Sequence, residues 1–184
     1  PTGQDIRSYL DLDDRLLTLK LTPNRADCLS ITGVAREVSA LTRTPATYPV
    51  VVETPVTIAA KREIVLDAPE ACPLYCGRVI SGVNAKAATP DWMKRRIERS
   101  GIRSISGLVD ITNYVMLELG RPTHVFDLDR ISGGLTVRWG RADETLELLN
   151  GQTVALGPRD GLEIGVIAGE RQGERVAGLL GRET

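Results

Sequence analysis

The sequence lacks long apolar runs and any excess of charge of one sign. It has no stretch of 18 apolar residues, and its N-terminus has no basic region followed by an apolar stretch. We therefore expect neither a transmembrane helix nor a signal peptide, and we expect a cytoplasmic protein. The formal net charge of −1 gives no overall attraction for nucleic acid or an anionic membrane. Any contact with RNA must therefore be local.

Cysteine is scarce as well. The three cysteines, Cys28, Cys72 and Cys76, are odd in number, and their spacing indicates no disulfide framework. The pair in "CPLYC" could be half of a zinc site, but a structural zinc site needs four ligands, and the only histidine is distant in sequence. We therefore predict no metal site, and we interpret the cysteines as small hydrophobic residues.

The common signatures of catalytic and nucleotide-binding sites are absent. The sequence contains no GxSxG elbow for a serine nucleophile, no GxxxxGK phosphate loop and no GxGxxG motif. A site that uses a positioned water stays open, with the Thr112 hydroxyl and the Asn113 amide as positioning groups and the lone imidazole of His124 as assistant. The alternatives are equally concrete, since Thr and Asn commonly cap helices and a single histidine is often structural.

Hydrophobic residues make up 42% of the 184-residue chain, enough for a real core. Helical spacing of apolar residues follows Asp27, a possible N-cap, and a second helix is predicted in "ATPDWMKRRIERSG", with Thr89 as N-cap. A third helix, over 109–120, ends at Gly120, which would place Thr112 and Asn113 near its start. Alternating or β-branched strands are predicted in "LLTLKLTP", "YPVVVET", "EIVLD", "LYCGRVISGV", "LTVRWG", "ETLELLNGQTVAL" and "GLEIGVIAG". The pattern predicts an α+β layered domain.

One segment is strongly basic. "KRRIERSGIR" brings together Lys94, Arg95, Arg96, Arg99 and Arg103, and such a cluster could bind RNA phosphates. The alternative is a solvated helix face balanced by acidic neighbours. Trp92, on the same predicted helix, is most simply a core anchor.

Four stretches together resemble the beta subunit of bacterial phenylalanyl-tRNA synthetase: "TPNRADCLSITGVARE", "PDWMKRRIERSGIRSI", "VDITNYVMLELGRPTHVFDLDRI" and "VAGLLG". The resemblance spans roughly residues 16 to 181. It implies a flanking strand–helix segment over 1–47 and a tRNA-editing domain over 48–184, α+β with a β-sandwich-like core and helices packed on it. The N-terminus without methionine and the abrupt C-terminus lead us to expect a piece of a longer polypeptide, truncated at the C-terminal end of the domain.

The activity implied by the resemblance is hydrolysis of tyrosine mischarged onto the tRNA for phenylalanine. A pocket shaped for phenylalanine cannot strongly exclude an analogue that adds one hydroxyl, so a second site must remove the error. The resemblance also implies tRNA(Phe) and an alpha subunit as partners, in an α2β2 heterotetramer. It implies ATP and magnesium for the parent enzyme, with no cofactor in this segment.

Site residues are implied in the same way. Thr112 and Asn113 would position substrate and water, and His124 would orient the ester and the terminal ribose. The pocket wall would be shaped by Pro122 and Phe126, and by Gly178 in "VAGLLG". The family's acidic residue beyond this stretch is not in the sequence, and Arg182 replaces the usual second glycine. Two other functions stay open: a non-catalytic RNA-docking or scaffold module, and a free-standing editing protein.

Overall fold

The computed structural model describes residues 2–131, 133–147, 151–156, 164–170 and 175–180. It contains both α-helices and β-strands, which confirms the predicted α+β class. The chain divides into two compact units, the first of residues 1–44 and 86–121 and the second of residues 45–85 and 122–184. The boundary expected at residue 48 concerns the domains of a longer protein and stays a prediction.

The first unit is helical, with α1 (Ile6–Tyr9), α2 (Ile31–Thr42), α3 (Asp91–Arg99) and α4 (Gly107–Leu119). The predicted cap of α2 at Asp27 is wrong, because Asp27 lies in a short 3-10 turn over Ala26–Cys28. Ser30 caps the helix instead, since its hydroxyl accepts a hydrogen bond of 2.9 Å from the backbone N–H of Gly33. The helix cap therefore lies three residues later than the sequence predicts.

Helix α4 ends as predicted and begins earlier than predicted. Gly120 adopts a left-handed conformation with φ +75°, and its N–H donates to the carbonyl of Met116 at 2.8 Å. The helix begins at Gly107, so Thr112 and Asn113 lie near its middle and not near its start. Packing within the first unit brings α2 against α4, where the Thr32 hydroxyl donates to the carbonyl of Glu118 at 2.7 Å.

The second unit is built on strands. Among the described residues, a four-stranded sheet has the order β1 (Ile64–Leu66), β2 (Leu135–Trp139), β5 (Ile164–Glu170) and β6 (Arg175–Leu180). The β1–β2 pair is parallel and the other two pairs are antiparallel. Strands β3 (Glu144–Glu147) and β4 (Thr153–Leu156) form a separate antiparallel pair. Asn150 of the predicted NG turn lies outside the described residues.

Val137 is the centre of the core in this unit. Its side chain is fully buried. Partly buried side chains pack against it from β1, from the loop after β1, from the segment before β2 and from β2 itself: Leu66, Ala71, Cys72, Tyr75, Phe126 and Trp139. Beside this core, Arg138 makes a bidentate ion pair with Glu144, with N to O distances of 2.9 and 2.7 Å.

Three of the predicted strands are wrong. "LLTLKLTP", "YPVVVET" and "LYCGRVISGV" have no strand in the structure, and "EIVLD" has only the three residues of β1. Val50, Val51 and Val52 are 89%, 83% and 81% exposed. A β-branched pattern favours extended backbone, but a strand also needs a neighbouring backbone with which to form a ladder. That partner is a property of the tertiary structure.

Candidate functional site

The first turn of α4 contains a buried carboxylate. Asp110 is fully buried and accepts three hydrogen bonds: from the Thr89 hydroxyl, from the Ser104 hydroxyl at 2.6 Å and from the backbone N–H of Ile105 at 2.9 Å. Asp110 therefore ties two preceding segments of the chain to the start of the helix. The predicted N-cap role of Thr89 is wrong for α3, because its hydroxyl points to this carboxylate and Pro90 occupies the cap position.

The hydrogen bonds determine the charge state of Asp110. Burial raises the pKa of its carboxyl, but the Ser104 and Thr89 hydroxyls and the nearby backbone N–H groups of Ile105 and Ser106 lower it by more. The net pKa lies below the ordinary value of 3.8. The carboxylate is therefore ionised at neutral pH and acts only as an acceptor.

The two candidate positioning residues lie on α4, two and three residues after Asp110. Thr112 is half-buried, and its hydroxyl donates to the carbonyl of Val109 at 2.7 Å. This is the helix back-bond expected for a threonine inside a helix. Asn113 is half-buried, and its side chain has no hydrogen bond with any residue that the structure describes.

The other candidates belong to the second unit. His124 is exposed and lies in the extended segment after Gly120, and its ring is tilted by 34° against that of Phe126 at a centroid distance of 6.1 Å. Phe126 is half-buried, because it packs against Val137. Pro122 is exposed. The backbone of Gly178 lies in β6 and pairs with Val166 of β5.

The basic side chains of α3 divide into groups with different partners. Arg99 forms ion pairs with Asp14 at 2.8 Å and with Asp11 at 3.8 Å, and Arg95 pairs with Asp11 at 3.5 Å. Arg99 also donates to the backbone carbonyls of Leu10 and Asp11. The segment after α1 therefore already occupies these two arginines.

The remaining basic residues of the cluster have few acidic partners in the described part of the chain. Lys94 makes a long i,i+4 pair with Glu98 at 4.0 Å, and Arg103 is exposed. Arg96 is exposed, and its guanidinium donates to the Tyr114 hydroxyl at 2.9 Å. No carboxylate that the structure describes forms an ion pair with Arg96 or Arg103.

Trp92 lies beside Arg96 and is not the core anchor that the sequence suggested. Its side chain is 46% exposed. The guanidinium carbon of Arg96 lies over the indole, 5.4 Å from the ring centroid, and the Tyr114 ring meets the indole edge to face at 5.3 Å. Ile97, which is fully buried, is the side chain that anchors α3 in the core.

One group of residues has the atoms of a possible metal site. The ligand atoms of Asp27, Cys28 and Glu37 lie within 4.8 Å of one another. The Arg25 guanidinium already lies among them, donating to Glu37 at 2.6 and 2.9 Å and to Asp27 at 3.0 and 3.1 Å. Hydrogen bonds from Arg25 lower the pKa of both carboxyls. Arg25 thus supplies the positive charge that these carboxylates require. The group therefore fits a structural role, in which it joins the 3-10 turn to α2.

The family of the chain follows from comparison with known proteins. Residues 71–184 match the family model of the B3/4 domain, and the chain belongs to this family. A bilayer-spanning helix would have to be longer and more apolar than any helix in the described part of the chain.

Relatives among curated proteins match nearly the whole chain. The phenylalanine–tRNA ligase beta subunit of Bordetella pertussis is 64% identical over 181 residues, which is 98% of this chain and 22% of that protein. The beta subunit of Dechloromonas aromatica is 59% identical over 183 residues, 100% of this chain and 22% of that protein. That of Neisseria meningitidis serogroup B is 56% identical over 181 residues, with shares of 98% and 22%. The chain thus spans 22% of the length of each of these relatives.

Two features of the site were missed from the sequence. Asp110 was visible only as one of several carboxylates, and nothing in the sequence shows that its three donors come from residues 89, 104 and 105. The contact between Trp92 and Arg96 can be predicted from the sequence, because residues four apart in a helix lie on one face.

Proposed function

We propose that this chain is the editing module of a phenylalanine–tRNA ligase beta subunit. Its reaction is hydrolysis of the ester that joins tyrosine to the tRNA for phenylalanine. The observation that carries the proposal is 64% identity over 98% of the chain to a phenylalanine–tRNA ligase beta subunit, together with membership of the B3/4 domain family. The partners are then tRNA(Phe) and an alpha subunit, in an α2β2 heterotetramer in the cytoplasm, and the parent enzyme uses ATP and magnesium for charging.

The chemistry requires little from the protein. An aminoacyl ester is already activated, so a positioned water and a few hydrogen bonds suffice, and no protein nucleophile is needed. In this proposal Thr112 and Asn113 position the substrate and the water, and His124 orients the ester and the terminal ribose. Pro122, Phe126 and Gly178 shape the wall around the amino acid.

The test is deacylation of tyrosyl-tRNA(Phe) by the parent complex that contains this chain. Change of His124 to Ala or Thr112 to Val should slow tyrosine release by about 100-fold, the usual contribution of a positioned acid–base or hydrogen-bonding group. Charging with phenylalanine should be unchanged. Thr42→Val is the matched control, because Thr42 makes the same kind of back-bond, 2.8 Å to the carbonyl of Val38. Unchanged tyrosine release in both site variants would refute the proposal.

The basic face of α3 favours a second candidate, an RNA-docking module without hydrolysis. Here the arginines would bind tRNA phosphates. A triple change of Arg95, Arg96 and Arg99 would then weaken tRNA binding, and His124→Ala would leave ester turnover unchanged. The two candidates therefore differ in the outcome of a single variant at His124.

A further inference from the structure

The two sides of helix α3 have different partners. Arg95 and Arg99 face Asp11 and Asp14, and the Arg99 side chain is only 24% exposed. Arg99 has two carboxylates and two carbonyls as acceptors. An RNA phosphate would have to displace all of them. This side of α3 binds the chain's own N-terminal segment.

The other side presents an exposed group that we name the Trp92–Arg96–Tyr114 cluster. The Arg96 guanidinium lies over the indole and donates to the Tyr114 hydroxyl at 2.9 Å. That hydroxyl donates in turn to a carboxylate oxygen of Glu118 at 3.3 Å. The cluster therefore joins α3 to α4 and fixes the orientation of an indole that is 46% exposed.

The chemistry of this cluster suits an unpaired nucleobase. Every base has a π-face that stacks on an exposed aromatic ring, and an arginine beside the ring adds a cation for the neighbouring phosphate. Residues 91–103 contain five basic and two acidic residues. Asp11 and Asp14 pair with two of the five basic residues, and Arg96, on the side that carries Trp92, forms no ion pair with a carboxylate that the structure describes. A surface with this charge and an exposed ring favours RNA over a protein partner of mixed charge.

We propose that the Trp92–Arg96–Tyr114 cluster is a contact surface for a single-stranded segment of RNA. One base stacks on Trp92, and Arg96 meets the adjoining phosphate. Arg95 and Arg99 take no part in this contact, because the N-terminal segment holds them. The inference rests on the proposed function only for the identity of the RNA, which is tRNA.

The experiment is titration of the full chain with uncharged tRNA(Phe), followed by tryptophan fluorescence and by filter binding. Trp92→Ala and Arg96→Ala should each weaken binding about tenfold or more, the usual range for loss of a stacked base. Trp92→Phe keeps a stacking ring and should stay within about threefold of the parent. Arg99→Ala and the control Arg36→Ala, an exposed arginine of α2, should each change the affinity by less than about twofold.

Fluorescence reports on the contact directly. The chain has two tryptophans, so Trp92→Phe leaves only Trp139. Stacking on Trp92 predicts that RNA quenches the parent chain and leaves Trp92→Phe unquenched. Arg96→Lys keeps the charge and loses the planar group, so its affinity should fall between those of the parent and Arg96→Ala.

Two results would overturn the inference. The first is a loss of affinity in Arg99→Ala as large as that in Arg96→Ala, which would mean undirected phosphate binding by the whole helix. The second is an affinity of Trp92→Ala for tRNA(Phe) equal to that of the parent chain. That result would mean that the cluster holds α3 against α4 or contacts a protein. Neither result depends on hydrolysis, because the RNA is uncharged. Failure of the proposed function would appear only in tyrosine release, so the two failures are distinguishable.

Discussion

The buried carboxylate of Asp110 allows the sharpest test of the fold around α4. Asp110→Ala removes the acceptor of three hydrogen bonds that connect residues 89 and 104–105 to the start of the helix. The two hydroxyls can rotate toward other acceptors, but the backbone N–H of Ile105 keeps its direction and loses its carboxylate acceptor. A hydrogen bond to a charged group contributes roughly 1.5–3 kcal/mol, and an unsatisfied buried donor costs about 1–3 kcal/mol.

These terms are not additive, and together they predict a loss of about 3–5 kcal/mol in the free energy of unfolding. For a chain of this size the melting temperature should fall by roughly 6 to 20 °C. Asp110→Asn keeps the shape and one carbonyl acceptor, so its loss should be smaller, about 1–2 kcal/mol. Urea unfolding and thermal melts followed by circular dichroism measure both variants.

The control is Asp13→Ala, which removes a carboxylate whose side chain is 90% exposed and which pairs with the exposed Arg7 at 3.0 Å. Its effect should stay below about 0.5 kcal/mol. Equal stability of Asp110→Ala and Asp13→Ala would refute the reasoning, since it would mean that the buried network contributes nothing.

The pKa of Asp110 also predicts a dependence on pH. Its carboxyl has a lower pKa in the folded chain than the ordinary 3.8, so the unfolded chain binds more protons in that range. The stabilisation is therefore present above about pH 4 and is lost as the pH falls through the folded pKa. The difference in unfolding free energy between the parent and Asp110→Asn should be constant from about pH 7 to 5 and shrink below about pH 4. A difference that grows on acidification would contradict this assignment.

Three further changes test the packing of each unit. Gly33→Ala would place its new methyl 1.9 Å from the carbonyl oxygen of Asp27. Urea unfolding should therefore show a loss of about 3 kcal/mol in the free energy of unfolding. The exposed control Ala40→Gly should lose about 1 kcal/mol. Gly120→Ala forces a left-handed conformation on alanine and should lower the unfolding free energy by about 1–2 kcal/mol in the same assay; no loss would mean that the helix can end differently. Glu144→Ala leaves the guanidinium of Arg138, whose side chain is only 11% exposed, without its carboxylate. The change should cost about 3–5 kcal/mol, and a thermal melt unchanged from the parent would contradict that value.

Local chemistry determined the helices. Gly120 ends α4 because glycine adopts the left-handed conformation without steric cost, and this signal needs no distant contact. The amphipathic spacing after residue 30 likewise predicts α2, but the cap is Ser30 and not Asp27. The residues implied by the family resemblance, Thr112, Asn113 and His124, could also be named from the sequence, and their roles stay predictions.

Tertiary structure decided the strands and the partners of the charged side chains. Val50 to Val52 have the composition of a strand, yet they form no ladder with any described residue, because pairing needs a second backbone at the right place. Arg99 pairs with Asp14, which is 85 residues away in the sequence. The sequence shows which groups are charged or aromatic, but only the folded chain brings them within hydrogen-bonding distance, where these short-range interactions become strong.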